Sequence, residues 1–283
     1  MPLYDKYSDP LGITRCVLLV VESVLIVLGV LLISFLFAPL GLGGGLLYVP
    51  LFHYIGGWEI DQKLIIVSLL LSAITSYGSG LEHRKKGYHD DELTGIALWG
   101  AIPGALIGVL FVFATQDQFK SIFKLMSIIV VGFVIYKMVK RITPIKQEED
   151  IESDIQLVKM TSLSAFGGFL SSVMAIGAGM IYVPAMKFFG ALNTRKAIGS
   201  SLNIMMVVVP FAIFAHFILL ESYQLEAIKN ELLFLTGLVV VTFVGAKSGA
   251  IMGFRLFSEP MLMRVFIGVL SITWVNYLID VVL

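Results

Sequence analysis

The chain has 283 residues, of which 58% are hydrophobic and only 14% are charged. A soluble domain carries roughly 25% charged residues, so this composition excludes a soluble globular protein. The 20 Lys and Arg residues balance the 20 Asp and Glu residues, and no basic tract suggests nucleic acid as a partner. The single cysteine excludes an internal disulfide and any cysteine-based metal cluster.

Apolar runs follow one another along almost the whole chain, near 16–38, 42–55, 63–81, 94–115, 119–139, 160–176, 178–190, 197–220, 231–256 and 261–282. A helix that crosses the hydrocarbon core needs about 20 residues. The runs at 42–55, 160–176 and 178–190 are short, and the others reach or nearly reach the crossing length. The first run begins after Lys6 and Arg15 and is too long for a cleaved signal peptide, so it predicts a retained membrane helix. The expected fold class is an all-α integral membrane protein.

The second half of the chain repeats the first, because three groups of residues recur in the same order, at offsets of 134, 133 and 145 residues that require one insertion. We therefore predict two transmembrane repeats of about five hydrophobic segments each, at 1–140 and 160–283, with a charged cytoplasmic linker at 141–159. The matching groups are Gly43–Pro50 with Gly177–Pro184, then Lys63, Ser68–Leu69 and His83 with Lys196, Ser201–Leu202 and His216, and finally Gly100, Gly104 and Gly108 with Gly245, Gly249 and Gly253.

Basic residues indicate the topology, because cytoplasmic loops collect Lys and Arg. The clusters Arg84–Lys86 and Lys140–Arg141 are therefore placed inside. Residues 16–55 would form roughly 60 Å of helix, whereas the hydrocarbon core is about 30 Å thick. They cannot form a single crossing, and a hairpin, either full or re-entrant, is favoured. The repeats are then inverted and the N-terminus lies outside, although charge alone leaves a parallel arrangement open.

Glycine clusters precede short apolar runs at matching positions of the two halves. In transporters, such paired Gly-interrupted segments are the best sequence indication of a binding site. A helix that begins at such a break points free N–H groups and its positive dipole end at an anion. Tight helix packing is the alternative explanation of the glycines. The substrate-binding candidates in these elements are Gly43, Gly44, Gly45 and Tyr48, and Gly177, Gly179 and Tyr182.

Polar residues in the membrane segments extend the candidate site. Hydroxyl and amide groups bind an oxyanion without the cost of burying a full charge, although they also join neighbouring helices. Ser68, Ser201 and Asn203 are therefore substrate-binding candidates. Lys247 would either neutralise an anion in an internal cavity or extend to the membrane interface. His216 is the candidate for proton coupling. The remaining hydroxyls of the first stripe are expected to be mainly structural: Ser72, Thr75, Ser76 and Ser79.

With these elements the sequence resembles the sulfite exporter TauE/SafE family. The resemblance rests on the duplicated glycine element ending in Val-Pro, on the stretch Ala197–Leu202, and on the Gly-Ala-x-x-Gly helices of both halves. Ala178 interrupts the second glycine element, and Val67 stands where the second half has Ser200, so the half-sites are expected to contribute unequally. The resemblance implies a plasma-membrane carrier for sulfite or organosulfonates that works without an ATPase subunit.

The residues themselves predict a transporter that moves a small anion across the lipid bilayer by alternating access at a midplane site between the repeats. Sulfur enters only through the resemblance, as do a sulfur oxyanion or sulfonate as substrate and export as the direction. A proton or sodium is the expected coupling ion. No catalytic constellation or phosphate-binding loop occurs, so an enzyme and a cofactor are not expected. An anion channel and a non-transporting membrane scaffold are the alternatives.

Overall fold

A computed structural model describes residues 13–41, 43–142, 155–256 and 258–282. These residues form helices and connecting turns, which confirms the all-α class. Lys6 and most of the predicted linker lie outside the described residues. The helices are α1 Ile13–Phe37, α2 Gly45–Tyr54, α3 Gln62–Lys85, α4 Asp91–Ala114, α5 Phe119–Ile142, α6 Leu157–Met174, α7 Gly179–Pro184, α8 Thr194–Ile218, α9 Ser222–Asn230, α10 Leu232–Leu256 and α11 Glu259–Val282, and α7 continues into a π-helical turn at Ala185–Phe189.

Among the described residues, eight helices are long and apolar enough to cross a membrane, namely α1, α3, α4, α5, α6, α8, α10 and α11. The short helix α2 has 10 residues and α7 has 6, as the runs at 42–55 and 178–190 predicted. The run at 160–176 was wrongly classed as short. Most of this run belongs to the 18-residue helix α6. The apolar run did not include the first turn of α6, because that turn contains Lys159.

Helix α9 lies between α8 and α10, in a stretch that shows no apolar run. It begins with a capping box, in which the side chains of Glu221 and Gln224 each accept a hydrogen bond from the other residue's backbone N–H. This reciprocal arrangement satisfies two backbone donors that would otherwise be unpaired. The pair of capping residues is the sequence signal that could have revealed α9, which hydropathy missed because it detects only apolar segments.

The two halves of the chain pack crosswise. Helix α4 of the first half lies along α6 of the second half, and α1 lies along α10. In these contacts Gly104 lies against the backbone carbonyl of Ala165, and Gly249 lies against that of Phe35. A Cβ at either glycine would overlap the facing carbonyl. Glycine therefore allows close approach of two backbones, as small residues do in membrane helix pairs.

Substitution of Gly104 by alanine tests this packing. The added methyl group would overlap the Ala165 backbone, which has no rotamer to adopt, and overpacking of this kind costs about 1–3 kcal/mol. We expect a lower unfolding temperature of the purified protein in detergent. Gly237→Ala is the control, because a Cβ there meets nothing within 4 Å. Equal unfolding temperatures for Gly104→Ala and the unmodified protein would contradict the packing.

Helices α3 and α8 run antiparallel through the centre of the bundle. The apolar window of α3 is 78% buried, whereas those of α1 and α11 are each 22% buried. At one end, the Gln62 amide donates to the backbone carbonyl of His216 at 3.1 Å. At the other end, the carbonyl of Tyr88 lies against Gly199. We call the second end, which carries Arg84–Lys86, the basic end, and the first the opposite end.

Candidate functional site

Two turns interrupt the helices inside the bundle. The first glycine turn, which contains Gly41, Gly43 and Gly44, lies between α1 and α2, and the second glycine turn, residues 175–178, joins α6 to α7. Both turns use the left-handed region of the backbone, with φ at 69° for Gly44 and 53° for Ala178, which occupy matching positions. Glycine adopts this conformation freely, whereas for alanine it costs about 1–2 kcal/mol. The second turn keeps the shape of the first in spite of the Ala178 departure.

The two glycine turns are in contact. A Cβ built on Gly177 would lie 3.8 Å from the Cα of Gly43. Gly45, the first residue of α2, lies against the carbonyl oxygen of Ala175, and a Cβ there would overlap it. The hydroxyl of Ser72 donates a hydrogen bond to the same carbonyl at 3.3 Å. The structure thus brings together the two elements that the sequence singled out, while their binding role stays a prediction.

Met205 fills the space between the two glycine turns. Its terminal methyl lies 2.7 Å from a Cβ built on Gly177 and would also overlap one built on Gly43. The side chain is fully buried. Methionine is unbranched and flexible, so this side chain is the adaptable part of the contact. Sequence reasoning missed Met205, because a thioether in an apolar helix carries no chemical signal.

The helices that follow the turns direct their N-termini at the contact. Gly44 is the N-cap of α2, and no side chain caps this helix. Ala178 has the same position before α7, which begins at Gly179 and continues helically to Phe189. Uncapped N–H groups and the positive end of the helix dipole favour an anionic ligand. Backbone groups at the contact therefore offer what a small oxyanion requires.

Tyr48 and Tyr182 are both fully buried near the start of these helices, but their hydroxyl groups differ. The Tyr48 Oη lies 2.8 Å from the Oγ1 of Thr75. The Tyr182 Oη has no hydrogen-bond partner within the described part of the chain. Val208 stands where the sequence repeat places the counterpart of Thr75, and valine has no hydroxyl. The second half therefore presents an unpaired phenol where the first half has a closed pair.

Ser68 and Asn203 are further buried polar residues without a protein partner. The Ser68 hydroxyl and both polar atoms of the Asn203 amide lack a hydrogen bond to any described residue. Ser68 is 0% exposed and Asn203 is 3% exposed. Buried polar groups are nearly always paired, and leaving one unpaired costs about 1–3 kcal/mol. A substrate-binding role for Ser68 and Asn203 stays a prediction.

Ser68 and Ser201 lie at different depths. Leu202 of α8 packs beside Gly80 of α3, since a Cβ on that glycine would lie 3.3 Å from the leucine Cβ. Ser201 is therefore close to the basic end, and Ser68 lies roughly 20 Å away along α3, at 1.5 Å per residue. The Ser201 hydroxyl donates to the Ile198 carbonyl at 2.7 Å. The two predicted serines thus line different parts of the α3–α8 pair.

Lys247 is exposed, and its charge interacts with the carboxylate of Glu82 near the basic end. Its backbone packs against Gly78, because a Cβ built on Gly78 would lie 3.3 Å from the backbone nitrogen of Lys247. The side chain thus leaves the glycine contact, which agrees with extension to the membrane interface. A substrate-binding role for Lys247 stays a prediction that requires the side chain to turn inwards.

His216 joins three helices through both ring nitrogens. Its Nε2 lies 3.0 Å from the carbonyl oxygen of Ser172 in α6, and its Nδ1 lies 3.4 Å from the Gln62 amide nitrogen. A carbonyl only accepts and an amide nitrogen only donates, so Nε2 carries the hydrogen and the ring is neutral. A proton would have to break the Gln62 contact. Proton coupling by His216 stays a prediction.

The apolar helices, eight of them of crossing length among the described residues, define a multi-pass α-helical membrane protein. The chain belongs to the sulfite exporter TauE/SafE family, whose model matches residues 25–277. It is also 26% identical over 178 residues to a "probable membrane transporter protein" of Xylella fastidiosa (strain Temecula1 / ATCC 700964). That alignment covers 60% of this chain and 65% of the relative. No solved structure matches the chain significantly.

Proposed function

We propose that the chain is a secondary transporter that exports small anions, specifically sulfite or organosulfonates, across the plasma membrane. The observation that carries the proposal is the contact of Gly43 with Gly177, which brings together the turns that precede two helices without a side-chain cap. The sulfur-containing substrate follows the description of the family. Transport as the function is supported by the family and by the relative described as a probable membrane transporter protein.

The crosswise packing supports an inverted relation of the halves at 1–140 and 160–283. In such a repeat, α1 corresponds to α6 and α4 corresponds to α10. Exchanging the halves turns the observed pair α1–α10 into the observed pair α6–α4. The corresponding helices α3 and α8 contact each other and are antiparallel, so the axis that relates the halves would be perpendicular to these helices. Rocking of one half against the other about this axis would expose the glycine contact to each side in turn.

The filled contact supports a carrier over a permanently open channel. Met205 is fully buried between the turns and blocks a continuous polar path. An anion would therefore enter only after the turns separate, and its charge would be met by the N–H groups and by the unpaired groups of Tyr182 and Asn203. A proton or sodium would supply the driving force, with His216 as the proton candidate.

Thermal stabilisation by a panel of anions tests the proposal. A ligand present at 100 times its dissociation constant adds about 2.7 kcal/mol of stability. We expect sulfite or sulfoacetate to raise the unfolding temperature of the purified protein, and sulfate or acetate at the same ionic strength to leave it unchanged. In proteoliposomes the flux of the stabilising anion should saturate. A panel without any stabilising anion, together with no flux, would refute the proposal.

A further inference from the structure

Two recesses occupy corresponding places at the two ends of the α3–α8 pair. The basic-end recess encloses about 480 Å³ where α3 ends and α8 begins. The opposite-end recess encloses about 350 Å³ where α3 begins, beside α9 and the start of α10. Because α3 and α8 are antiparallel, the basic-end recess lies between the end of α3 and the start of α8. The opposite-end recess lies between the start of α3 and helix α9, which follows α8. The recesses therefore invite comparison of their charges.

The charges of the two recesses are opposite. The basic-end recess contains three cationic side chains, Lys86, Arg195 and Lys196, and no carboxylate lines it. The opposite-end recess contains three carboxylates and one lysine: Glu59, Asp61, Glu231 and Lys63. An anion near the membrane surface is therefore attracted at one end and repelled at the other, since clefts lined by one sign of charge concentrate ions of the other sign.

The cations of the basic-end recess are not used in ion pairs within the described part of the chain. Their neighbours are paired: Arg84 with Asp91 at 3.2 Å, and Lys85 with Glu82 at 3.0 Å. Neither Lys86, Arg195 nor Lys196 has a carboxylate of a described residue within ion-pairing distance. Three cations without a carboxylate partner among the described residues therefore line the recess.

Arg195 is held over the recess by Tyr88. Its guanidinium lies 5.7 Å from the centre of the Tyr88 ring, and its Nη1 donates to the Tyr88 hydroxyl at 3.4 Å. The N-terminus of the 25-residue helix α8 opens beside it, with Asn193 capping the Lys196 N–H at 2.9 Å. The helix dipole adds to the positive potential of the side chains.

The basic-end recess leads towards the first glycine turn. Ile198 follows Lys196 on the first turns of α8, and its side chain contacts Gly41, where a Cβ would lie 2.7 Å from the Ile198 Cγ2. The first turns of α8 therefore line the recess through Lys196 and contact the first glycine turn through Ile198. We propose that the basic-end recess is an anion-binding vestibule in which the substrate, a small sulfonate or sulfur oxyanion, is captured before the glycine contact opens.

This vestibule rests on the proposed function for its substrate, and it deepens that function by assigning the loading side. The acidic recess at the opposite end repels a released anion and so disfavours its return. With Arg84–Lys86 on the cytoplasmic side, the charge asymmetry favours export. The vestibule lowers the substrate concentration needed for transport and does not take part in the step that opens the glycine turns.

Thiol modification measures the potential of the vestibule without requiring transport. The single cysteine, Cys16, is replaced by serine, and a reporter cysteine is placed at Thr194 in the basic-end recess or at Ala227 in the opposite one. Both positions are half-buried. Each rate is divided by the rate of the same reagent with a free thiol, because a thiolate is intrinsically more reactive towards a cationic reagent. On this relative scale we expect a thiosulfonate reagent that carries a sulfonate to modify the Thr194→Cys protein about tenfold faster than its trimethylammonium analogue. The order should reverse for Ala227→Cys.

Neutralisation provides the matched control. Replacing Lys86, Arg195 and Lys196 together by glutamine should bring the ratio of the two rates at Thr194→Cys close to unity, as should about 1 M salt. Lys140→Gln, an exposed cation at the end of α5, should leave the ratio unchanged. Sulfoacetate should slow modification at Thr194→Cys and have no effect at Ala227→Cys. Equal rates of the two reagents at Thr194→Cys, or no protection by sulfoacetate, would overturn the vestibule.

The outcomes separate the vestibule from the proposed function. If the rate ratio and the protection are observed but proteoliposomes show no anion flux, the vestibule stands and the transport function fails. If flux is observed with equal modification rates, transport stands and the vestibule fails. When both hold, the triple glutamine variant should raise the KM for sulfoacetate several-fold on the basic side and leave kcat unchanged, because the cations act on capture alone.

Discussion

Gly45→Ala is expected to abolish anion flux in proteoliposomes. Gly45 lies against the Ala175 carbonyl, and its Cβ would also come within 2.5 Å of the Ser72 hydroxyl. The carbonyl belongs to the backbone of the second glycine turn, so it cannot move aside as a flexible side chain can. The methyl group would force the two turns apart and so disrupt the proposed anion site. A loss of at least about tenfold in flux corresponds to 1.4 kcal/mol or more of lost binding or transition-state stabilisation.

Gly177→Ala offers a graded comparison at the same contact. The atom that its Cβ would meet first is the Met205 methyl, which belongs to a flexible side chain. We expect partial loss of flux and partial recovery when Met205→Ala is added, because the shorter side chain makes room for the new methyl. Gly95→Ala in α4, where a Cβ meets nothing within 4 Å, is the control for alanine in a membrane helix. Full flux in Gly45→Ala would show that the contact between the two glycine turns is not needed for anion transport.

Asn203→Leu is expected to reduce flux strongly while raising stability. The Asn203 amide is 3% exposed, and neither of its polar atoms has a described partner. Leucine has a similar shape and removes the unpaired groups, which should stabilise the protein by about 1–3 kcal/mol. If the amide is retained to bind the anion, flux should fall at least about tenfold. The measurements are the unfolding temperature and the initial rate of sulfoacetate transport.

A fall in flux with a rise in stability distinguishes binding from packing. A residue that only joins helices would, when replaced, lower both quantities together. Thr242→Val serves as the control, because this buried hydroxyl donates to its own helix at Leu238 and the exchange preserves shape. It should leave both quantities nearly unchanged. Wild-type flux in Asn203→Leu would exclude the amide from the substrate site.

Much of the architecture follows from local properties of the sequence. Apolar runs of crossing length require helices, since backbone polar groups in lipid must be satisfied within the segment. Gly43, Gly44 and Gly177 indicated breaks because they sit where the chain needs a left-handed conformation. The short run at 160–176 and the helix α9 were misjudged or missed, because a hydropathy run does not register polar residues such as Lys159 and Glu221 that belong to a helix or its cap.

In the candidate site, too, some features follow from the sequence and others become visible only in the structure. The repeat identified Tyr48 and Tyr182 as a pair, and it also contained the reason for their difference, since Thr75 corresponds to Val208. That consequence becomes visible only when the Tyr48 hydroxyl is seen to bond Thr75 across two helices. The importance of Met205 was likewise hidden, because an apolar side chain in an apolar helix acquires its role from what it contacts.

Hydropathy and backbone freedom are local properties, so the sequence was sufficient to predict a helical membrane protein, two glycine-broken elements and a duplicated order of residues. The structure was needed to find which carbonyl faces Gly45, which buried amide lacks a described partner, and how Lys86 comes to share a recess with Arg195. These depend on the crosswise packing of residues far apart in the chain. Contact of that kind is set by the shapes of two surfaces together, which no single stretch of sequence contains.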